Sequence, residues 1–564
     1  MLRKFRKNFR KNFLIVAFIA FIISTAALYT FRSFSYNEYK KIEFQSAGSE
    51  LYANLYFPAD YPLIDQKRPL IIFVHGLGSQ RDLDLRAPME LTKRGYFVAS
   101  IDYQGHGDSE GYLTKQVPGR DKPALAQDCS RLLDTVVESE IGEINFSQVG
   151  LIGYSLGGMV ALMNQALDSR FKATVLWSGL INPKPEMFSL PKDHPFVDYF
   201  PQNLINKNNT KNLFVVHHQN DPTLPYEEHI PVAKELTDCE SLKIKKPLIG
   251  GAHLLASDKA VKETIIWFET YFHGSLRGPI NLSYMFNYSL LILTYIMGFL
   301  FVLAVVSSIS KLFAVDPTFQ EQNLRVEYVE LSEKQKKKRI VNILLYFAFF
   351  VAFYQIFISI FELLGFILAP VFLLIAFGII KAIKFLKKPK PERQRYFQIE
   401  KVELQFELHF LAYSFCSTLI FIGVYAINAI SYPFAFFWPS DFVSFILAYT
   451  VYPLYLNMEI FYRKIIFPKL NFVKSRRRKV MIMTYLSIIH HGVLMLLSWN
   501  IFITQAILVT HLISLAVVIL NAIIYTKTEQ FSSVILSSFL IIQLFFGAAV
   551  SNVMGINSML HMLI

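Results

Sequence analysis

The stretch Ser147-Gln148-Val149-Gly150-Leu151-Ile152-Gly153-Tyr154-Ser155-Leu156-Gly157-Gly158 decides how this chain is read. An apolar run ends in G-x-S-x-G and passes directly into residues 156–170, LGGMVALMNQALDSR, which suit a helix. A strand turning this sharply into a helix forces strained backbone on the residue between them, and flanking glycines let neighbouring chains approach closely. Ser155 then stands exposed at a helix N-terminus, where the dipole favours developing negative charge. The short motif alone has many chance matches, but its strand-to-helix setting predicts a nucleophile.

The same alternation extends on both sides. Residues 40–45 (KKIEFQ) and 50–57 (ELYANLYF) alternate as half-buried strands. PLIIFVHG (69–76), YFVASIDYQG (96–105), SQVGLIGYS (147–155), KATVLWSG (172–179), KNLFVVHHQND (211–221) and SLKIKKPLIGGAH (241–253) read as buried strands. Residues 83–95, 123–139, 156–170 and 227–239 suit helices between them. Such alternation predicts an α/β fold, with a mostly parallel sheet covered by helices on both faces.

A serine hydroxyl is a weak nucleophile and needs a base, which in turn needs an orienting acid. Asp221 follows one strand and His253 another, both at carboxyl ends, where open α/β sheets place their active sites. His217 and His218 lie within a strand, His229 on a helix and His194 in an insertion, so they are weaker candidates for the base. Asp198 and Asp238 are poorer acids for similar reasons. Two backbone N–H groups should face the developing oxyanion. Leu156, directly after the serine, supplies one, and Leu77, in the His75-Gly76-Leu77-Gly78 turn, the other. His75 is expected to shape that turn.

HGLGS (75–79), DYQGHGDSEG (102–111), GYSLGG (153–158), QNDPTLP (219–225) and GGAH (250–253), in this order, resemble the α/β-hydrolase superfamily. The nearest branches are serine aminopeptidase S33-like, monoacylglycerol-lipase-like and dienelactone-hydrolase-like. The resemblance covers about 40% of the chain. It implies the α/β-hydrolase fold, Ser155, Asp221 and His253 as nucleophile, acid and base, and no cofactor or metal. Asp102 and His106 match a family turn that is usually structural.

Composition adds a second part. The 564 residues are 53% hydrophobic, with a formal charge of +13. Residues 1–34 carry +7, residues 35–279 carry −5 and residues 280–564 carry +11. The basic excess therefore lies in the hydrophobic parts, which removes the case for nucleic acid. Residues 13–31 form an uncharged apolar run of roughly 29 Å as a helix, about one bilayer core. Behind a basic start it predicts a retained signal anchor in preference to a cleaved leader. Further runs at 287–309, 341–361, 364–381, 406–430, 441–462, 480–498, 501–526 and 530–551 predict an all-α polytopic membrane domain. Its Lys/Arg cluster in the loops 310–340, 382–405, 463–479 and 527–529, with Lys381 at a span end. That pattern puts the N-terminus in the cytoplasm and the domain 35–279 outside it, in a multi-pass protein of the cell membrane. The membrane part resembles no family that its residues identify.

Three cysteines cannot make a disulfide framework, so an ordinary core must hold the outer domain. Sequons stand at Asn145, Asn208, Asn281 and Asn287, the last close to the membrane. Residues 180–210 sit where this fold inserts lids, and Met187, Phe188, Leu190, Phe196, Val197, Tyr199 and Phe200 suit either an acyl or lipid substrate or packing onto the core. Glu186, Asp193 and Asp198 keep peptidase chemistry open. His490, His491, His511, His409 and Asn428 fall within spans, where interhelical hydrogen bonding is the expectation. Glu362 and Asp441, near span ends, are candidates to dock the outer domain. The expected function is hydrolysis of an acyl ester or thioester, with membrane lipids nearby. A peptidase or acyltransferase on the same triad and a transporter or scaffold with a hydrolase-like binding domain are the alternatives.

Overall fold

The computed structural model describes residues 2–33, 36–245, 253, 255, 257–315, 328–394, 407–431, 452–453, 455–498 and 505–554. Eight strands form one sheet: β1 (Tyr36–Ser46), β2 (Ser49–Pro58), β3 (Arg68–Val74), β4 (Phe97–Asp102), β5 (Ile144–Tyr154), β6 (Phe171–Trp177), β7 (Leu213–His218) and β8 (Glu240–Ile244). The expected buried strand over 241–253 is instead a short, partly exposed edge strand, and residues 246–252 lie outside the described residues. Their order is β1-β2-β4-β3-β5-β6-β7-β8. β1 and β2 join antiparallel, as do β2 and β4, and every later pairing is parallel. Central strands buried on both faces must be apolar along their length, and RPLIIFV in β3 and VGLIGY in β5 meet that demand.

One face carries α3 (Asp128–Glu138) and α4 (Leu156–Leu167), which bury Leu132, Leu133, Val136, Met159 and Val160 against the sheet. The other carries α2 (Arg86–Thr92) and α7 (Asp258–His273), with Met89, Val261, Ile265 and Phe268 in its core. The alternation read from the sequence does not include α7. This second core takes in Leu28 of α1 (Leu2–Ser33) and Tyr284 and Leu291 of α8 (Tyr284–Ile309), so the apolar helices share the packing of the sheet domain. α1 also lies along α8, with the Phe18 and Phe21 rings 5.3 and 5.9 Å from Phe301. Cys129, Cys239 and Cys416 are free thiols. Asn287 is buried within α8, out of reach of modification in the folded chain.

Glu269 of α7 ties this face together. Its carboxylate accepts from Arg94 Nε (2.6 Å) and Nη2 (2.8 Å) and from the Arg277 backbone N–H (2.6 Å), with no side-chain exposure. Burial works to raise the carboxyl pKa, but the bonds from Arg94 and Arg277 outweigh it and hold it below the ordinary value. A depressed folded-state pKa contributes stability that is present above the unfolded carboxyl pKa of about 4.3 and is lost as pH falls through the folded value. Glu269→Gln should therefore cost about 3–5 kcal/mol at neutral pH, because it leaves the arginines without their counter-charge. In thermal unfolding of the detergent-solubilised chain this corresponds to a drop of about 10 °C, narrowing below about pH 4.

After α8 the described residues form helices at Glu333–Leu386 (α9), Leu408–Ser431, Arg476–Ser498, Gln505–Thr528 and Phe531–Met554, with a π-helical turn at Ile460–Ile466. Five stretches among the described residues are long and apolar enough to cross a membrane: Asn12–Phe31, Tyr284–Ile309, Glu333–Ile356, Leu368–Leu386 and Leu408–Ile427. The expected spans 341–361 and 364–381 lie on one continuous 54-residue helix rather than on two joined by a loop at Gly365. A lone glycine weakens a helix by about 1 kcal/mol without ending it, and an apolar sequence on both sides carries the helix through. The basic residues at 334–339 and 384–390 thus stand near opposite ends of α9.

The helical region also buries polar groups. Glu459 Oε2 pairs with Arg463 Nε at 3.1 Å, and Glu459 Oε1 accepts from Asn521 Nδ2 at 2.8 Å. His490 Nδ1 lies 2.7 Å from the Tyr462 hydroxyl, and His491 Nε2 lies 2.9 Å from Ser514 Oγ. Both histidines thus bond to other helices. His409 instead is near half exposed, 3.6 Å from Glu407. Asp441 and the side chains of Glu362, Asn428 and His511 lie outside the described residues.

Candidate active site

Ser155 occupies the turn between β5 and α4 with φ +54° and ψ −120°. Positive φ is strained for a residue with a Cβ and persists only where the surroundings impose it. Here the Ser155 N–H donates to the Trp177 carbonyl (3.0 Å), while the Ser155 carbonyl accepts from Gly158 (2.9 Å) and Leu180 (2.8 Å). Gly157 is required by proximity: a Cβ there would lie 2.3 Å from the carbonyl oxygens of Val74 and His75. α4 can therefore start directly against the end of β3.

Two further side chains converge on the serine. Asp221 lies beyond β7, in the Asp221-Pro222-Thr223-Leu224-Pro225 turn before α6 (Tyr226–Leu236). Its Oδ1 accepts from the N–H groups of Thr223 (2.9 Å) and Leu224 (3.0 Å). Its Oδ2 lies 2.8 Å from His253 Nδ1. Burial alone would raise the Asp221 carboxyl, but the His253 bond and the two backbone donors hold it below its ordinary pKa. The opposite ring nitrogen, His253 Nε2, lies 2.8 Å from Ser155 Oγ. With the carboxylate ionised, the Nδ1 proton faces Asp221 and Nε2 is free to accept the serine proton. The three expected residues are thus brought into one hydrogen-bonded line.

Leu156 is the first residue of α4, so its N–H belongs to the first turn, where donors have no partner within the helix. Leu77 sits in the turn after β3 with its side chain 55% exposed. A Cβ on Gly76 would stand 3.0 Å from Ser155 Cβ, so this turn runs against the nucleophile. Its base is rigid. His75 stacks on Tyr103 at 4.8 Å, with Nε2 3.3 Å from Asp102 Oδ1. Asp102 also takes the Arg81 backbone N–H at 2.6 Å and pairs with the Arg81 guanidinium. Burial pushes His106 down to about 3, which keeps it neutral beside them. His75, Asp102 and His106 therefore hold the turn and do not meet the serine.

The competing histidines have other partners, although His217 Nε2 also lies 3.7 Å from Asp221 Oδ2. His217 Nε2 lies 2.7 Å from the Leu224 carbonyl, and His218 Nδ1 accepts from Asn220 N–H at 3.0 Å. His229 Nδ1 accepts from Asn182 N–H at 3.1 Å, and burial lowers its pKa to about 4. His194 caps a short helix through Phe196 N–H. Asp198 is exposed, and Asp238 pairs with Lys207 at the surface. In the segment 180–210, Phe188, Phe196 and Phe200 pack on one another and on the core, which meets the packing expectation; Met187 alone of the large apolar side chains there is more than half exposed.

Reading the sequence did not bring out two neighbours of His253. The Tyr154 hydroxyl donates to the His253 carbonyl at 3.3 Å, with the two rings 5.6 Å apart. Arg86 donates to the Leu255 carbonyl at 2.9 Å. Tyr154 lies inside the motif already read; nothing in sequence spacing points from Arg86 to residue 255.

Residues 65–227 match the family described as serine aminopeptidase, S33. A platelet-activating factor acetylhydrolase from Cavia porcellus is 26% identical over 168 residues, 22% of this chain and 38% of that protein. A protein of Mycoplasma genitalium named as an esterase/lipase is 26% identical over 160 residues, 28% of this chain and 53% of its own. The chain thus spans less than two thirds of either relative. Among solved structures, Est1E from Butyrivibrio proteoclasticus with bound ferulic acid aligns with 42% of this chain and 98% of its own, at 18% identity and a TM-score of 0.32. An acylaminoacyl peptidase of Pyrococcus horikoshii aligns with 44% of each chain, at 18% identity and a TM-score of 0.34. Residues 36–273 carry the α/β-hydrolase fold, which this chain joins to a helical region with several apolar helices.

Proposed function

We propose that the chain is a membrane-bound serine hydrolase that cleaves an acyl bond, a carboxylic ester or thioester. The observation that carries this reading is the pair of 2.8 Å contacts linking Ser155 Oγ, His253 and Asp221. Ser155 Oγ attacks the acyl carbon as its proton moves to His253 Nε2, and Asp221 stabilises the resulting imidazolium. The N–H groups of Leu156 and Leu77 take the developing oxyanion. Collapse breaks the bond to the alcohol or thiol, which leaves with the proton from His253. Water then adds to the acyl-enzyme by the same route in reverse roles and releases the acid. All of these groups come from the chain itself, without a cofactor.

The relatives named as an acetylhydrolase and an esterase/lipase support acyl esters as the substrate class. The basic N-terminal segment and the apolar stretch Asn12–Phe31 support a cytoplasmic start and a catalytic domain outside the cytoplasm, a reading independent of α9. Tethering on both sides by apolar helices favours a substrate at the membrane surface by raising its effective concentration.

The test is a panel of short and long acyl esters, thioesters, phospholipid acyl esters in mixed micelles, and aminoacyl amides, given to wild type and Ser155→Ala. Turnover of esters or thioesters that the substitution removes is expected. Cleavage confined to aminoacyl amides would move the assignment to a peptidase. No serine-dependent turnover of any class would remove the hydrolase reading.

A further inference from the structure

The segment bearing His253 gets part of its support from outside the sheet domain. Leu255, two residues on, has φ +48° and a buried side chain. A branched side chain in that backbone region is strained and stays there only when its neighbours hold it. The Leu255 carbonyl accepts from Ser257 N–H (2.7 Å) and from Arg86 Nη1 (2.9 Å). Arg86 is itself fixed: its Nε and Nη2 lie 2.9 and 2.6 Å from the Asp84 carboxylate, and its guanidinium stands 4.8 Å over the Trp177 ring.

Both sides of this support run to α8. The Leu85 N–H, immediately before Arg86, donates to the Tyr288 hydroxyl at 3.0 Å. Asp258, which opens α7 five residues after His253, accepts from the Tyr284 hydroxyl at 2.6 Å. Tyr284 and Tyr288 are one helical turn apart and so share a face. The start of α8 is seated by Glu90 of α2, whose Oε1 accepts from the N–H groups of Ser283 (2.6 Å) and Tyr284 (2.7 Å). A carboxylate on the first N–H groups of a helix is favourable for the dipole and satisfies donors that otherwise lack partners. Tyr284, Leu291, Leu85 and Leu255 then close one apolar core.

We propose that Tyr284 and Tyr288 of α8 are positioning residues for His253, so that docking of the sheet domain on this apolar helix sets the reactivity of Ser155. The proposal rests on the serine-hydrolase reading above. Neither tyrosine touches the reacting atoms. Each acts on the chain just after the base: Tyr288 through Leu85 and Arg86 on Leu255, Tyr284 through Asp258. Small displacements of a base from its nucleophile have large effects on rate, because proton transfer needs hydrogen-bond reach.

The experiment uses the full-length chain in detergent, as wild type, Tyr284→Phe, Tyr288→Phe and the double variant. Phenylalanine keeps the ring packing and removes only the hydroxyl. Each protein is titrated with a fluorophosphonate, whose labelling amplitude reports the folded, competent fraction and whose rate constant reports the reactivity of Ser155. Steady-state kcat and KM are measured on an ester that the wild type turns over. The double variant is expected to be labelled roughly tenfold more slowly at near wild-type amplitude, with kcat lowered in step and KM little changed. A reduced amplitude with a wild-type rate constant would make the tyrosines merely structural and overturn the proposal, as would wild-type kinetics throughout. A wild type that takes no label at Ser155 would remove the hydrolase reading, and the positioning role with it.

Discussion

Ser155→Ala is expected to lower kcat on any ester substrate by about 10⁵-fold while leaving KM within a fewfold of wild type. The loss is large because one atom is both nucleophile and proton donor, and no neighbouring group on the described structure can take its place. His217, His218 and His229 are held by backbone contacts of their own, and the His75 ring is turned to Asp102. On the proposed mechanism, what activity remains reflects the Leu77 and Leu156 donors and substrate binding. Initial rates at high enzyme concentration check it, provided that thermal unfolding shows the variant to be folded. A drop of less than about tenfold would mean that Ser155 is not the nucleophile.

Asp221→Asn should cost nearly as much, about 10⁴-fold in kcat, for a different reason. The wild-type carboxylate is acceptor-only: Oδ1 takes two backbone N–H groups and Oδ2 faces His253 Nδ1. With Oδ1 still held by those two donors, an asparagine presents its NH2 to the imidazole. That stabilises the tautomer with the proton on Nε2, which cannot accept from Ser155. It also removes the charge that stabilises the imidazolium. The sign with pH follows from the depressed Asp221 pKa: this group stays ionised through the neutral range and begins to lose its role only below the ordinary carboxyl pKa. Steady-state kinetics from pH 5 to 9 should therefore show a deficit in Asp221→Asn that no pH in this range repairs. Activity recovering to wild-type levels anywhere in that window would contradict the assigned role.

Most of the sheet domain is legible in the sequence because each part answers a local physical demand. Parallel strands buried on both faces need unbroken apolar runs, and β3 and β5 to β7 supply them. A strained strand-to-helix turn needs small neighbours, which marks Ser155 even without its partners. Asp221 is legible as a polar residue just past the end of β7, and His253 as the histidine after Gly250-Gly251-Ala252. The second layer is not. Arg86 and Leu255 are 169 residues apart, and Tyr288 lies 203 residues from Leu85; only folding brings them together. The same holds for Glu459, which lies near the end of an expected span and in three dimensions is buried by its pairing with Arg463 and Asn521. In the helical region, hydropathy marks apolar segments but says little about where one helix ends. Gly365 invites a loop, yet nothing there stops the helix, and α9 runs through it.

The most direct test of the central claim is peptide mapping of the full-length chain after reaction with a fluorophosphonate. A single adduct on Ser155, absent from Ser155→Ala and slowed in Asp221→Asn, is the predicted result. An adduct that persists in Ser155→Ala, or a folded wild type that takes up none, would contradict it.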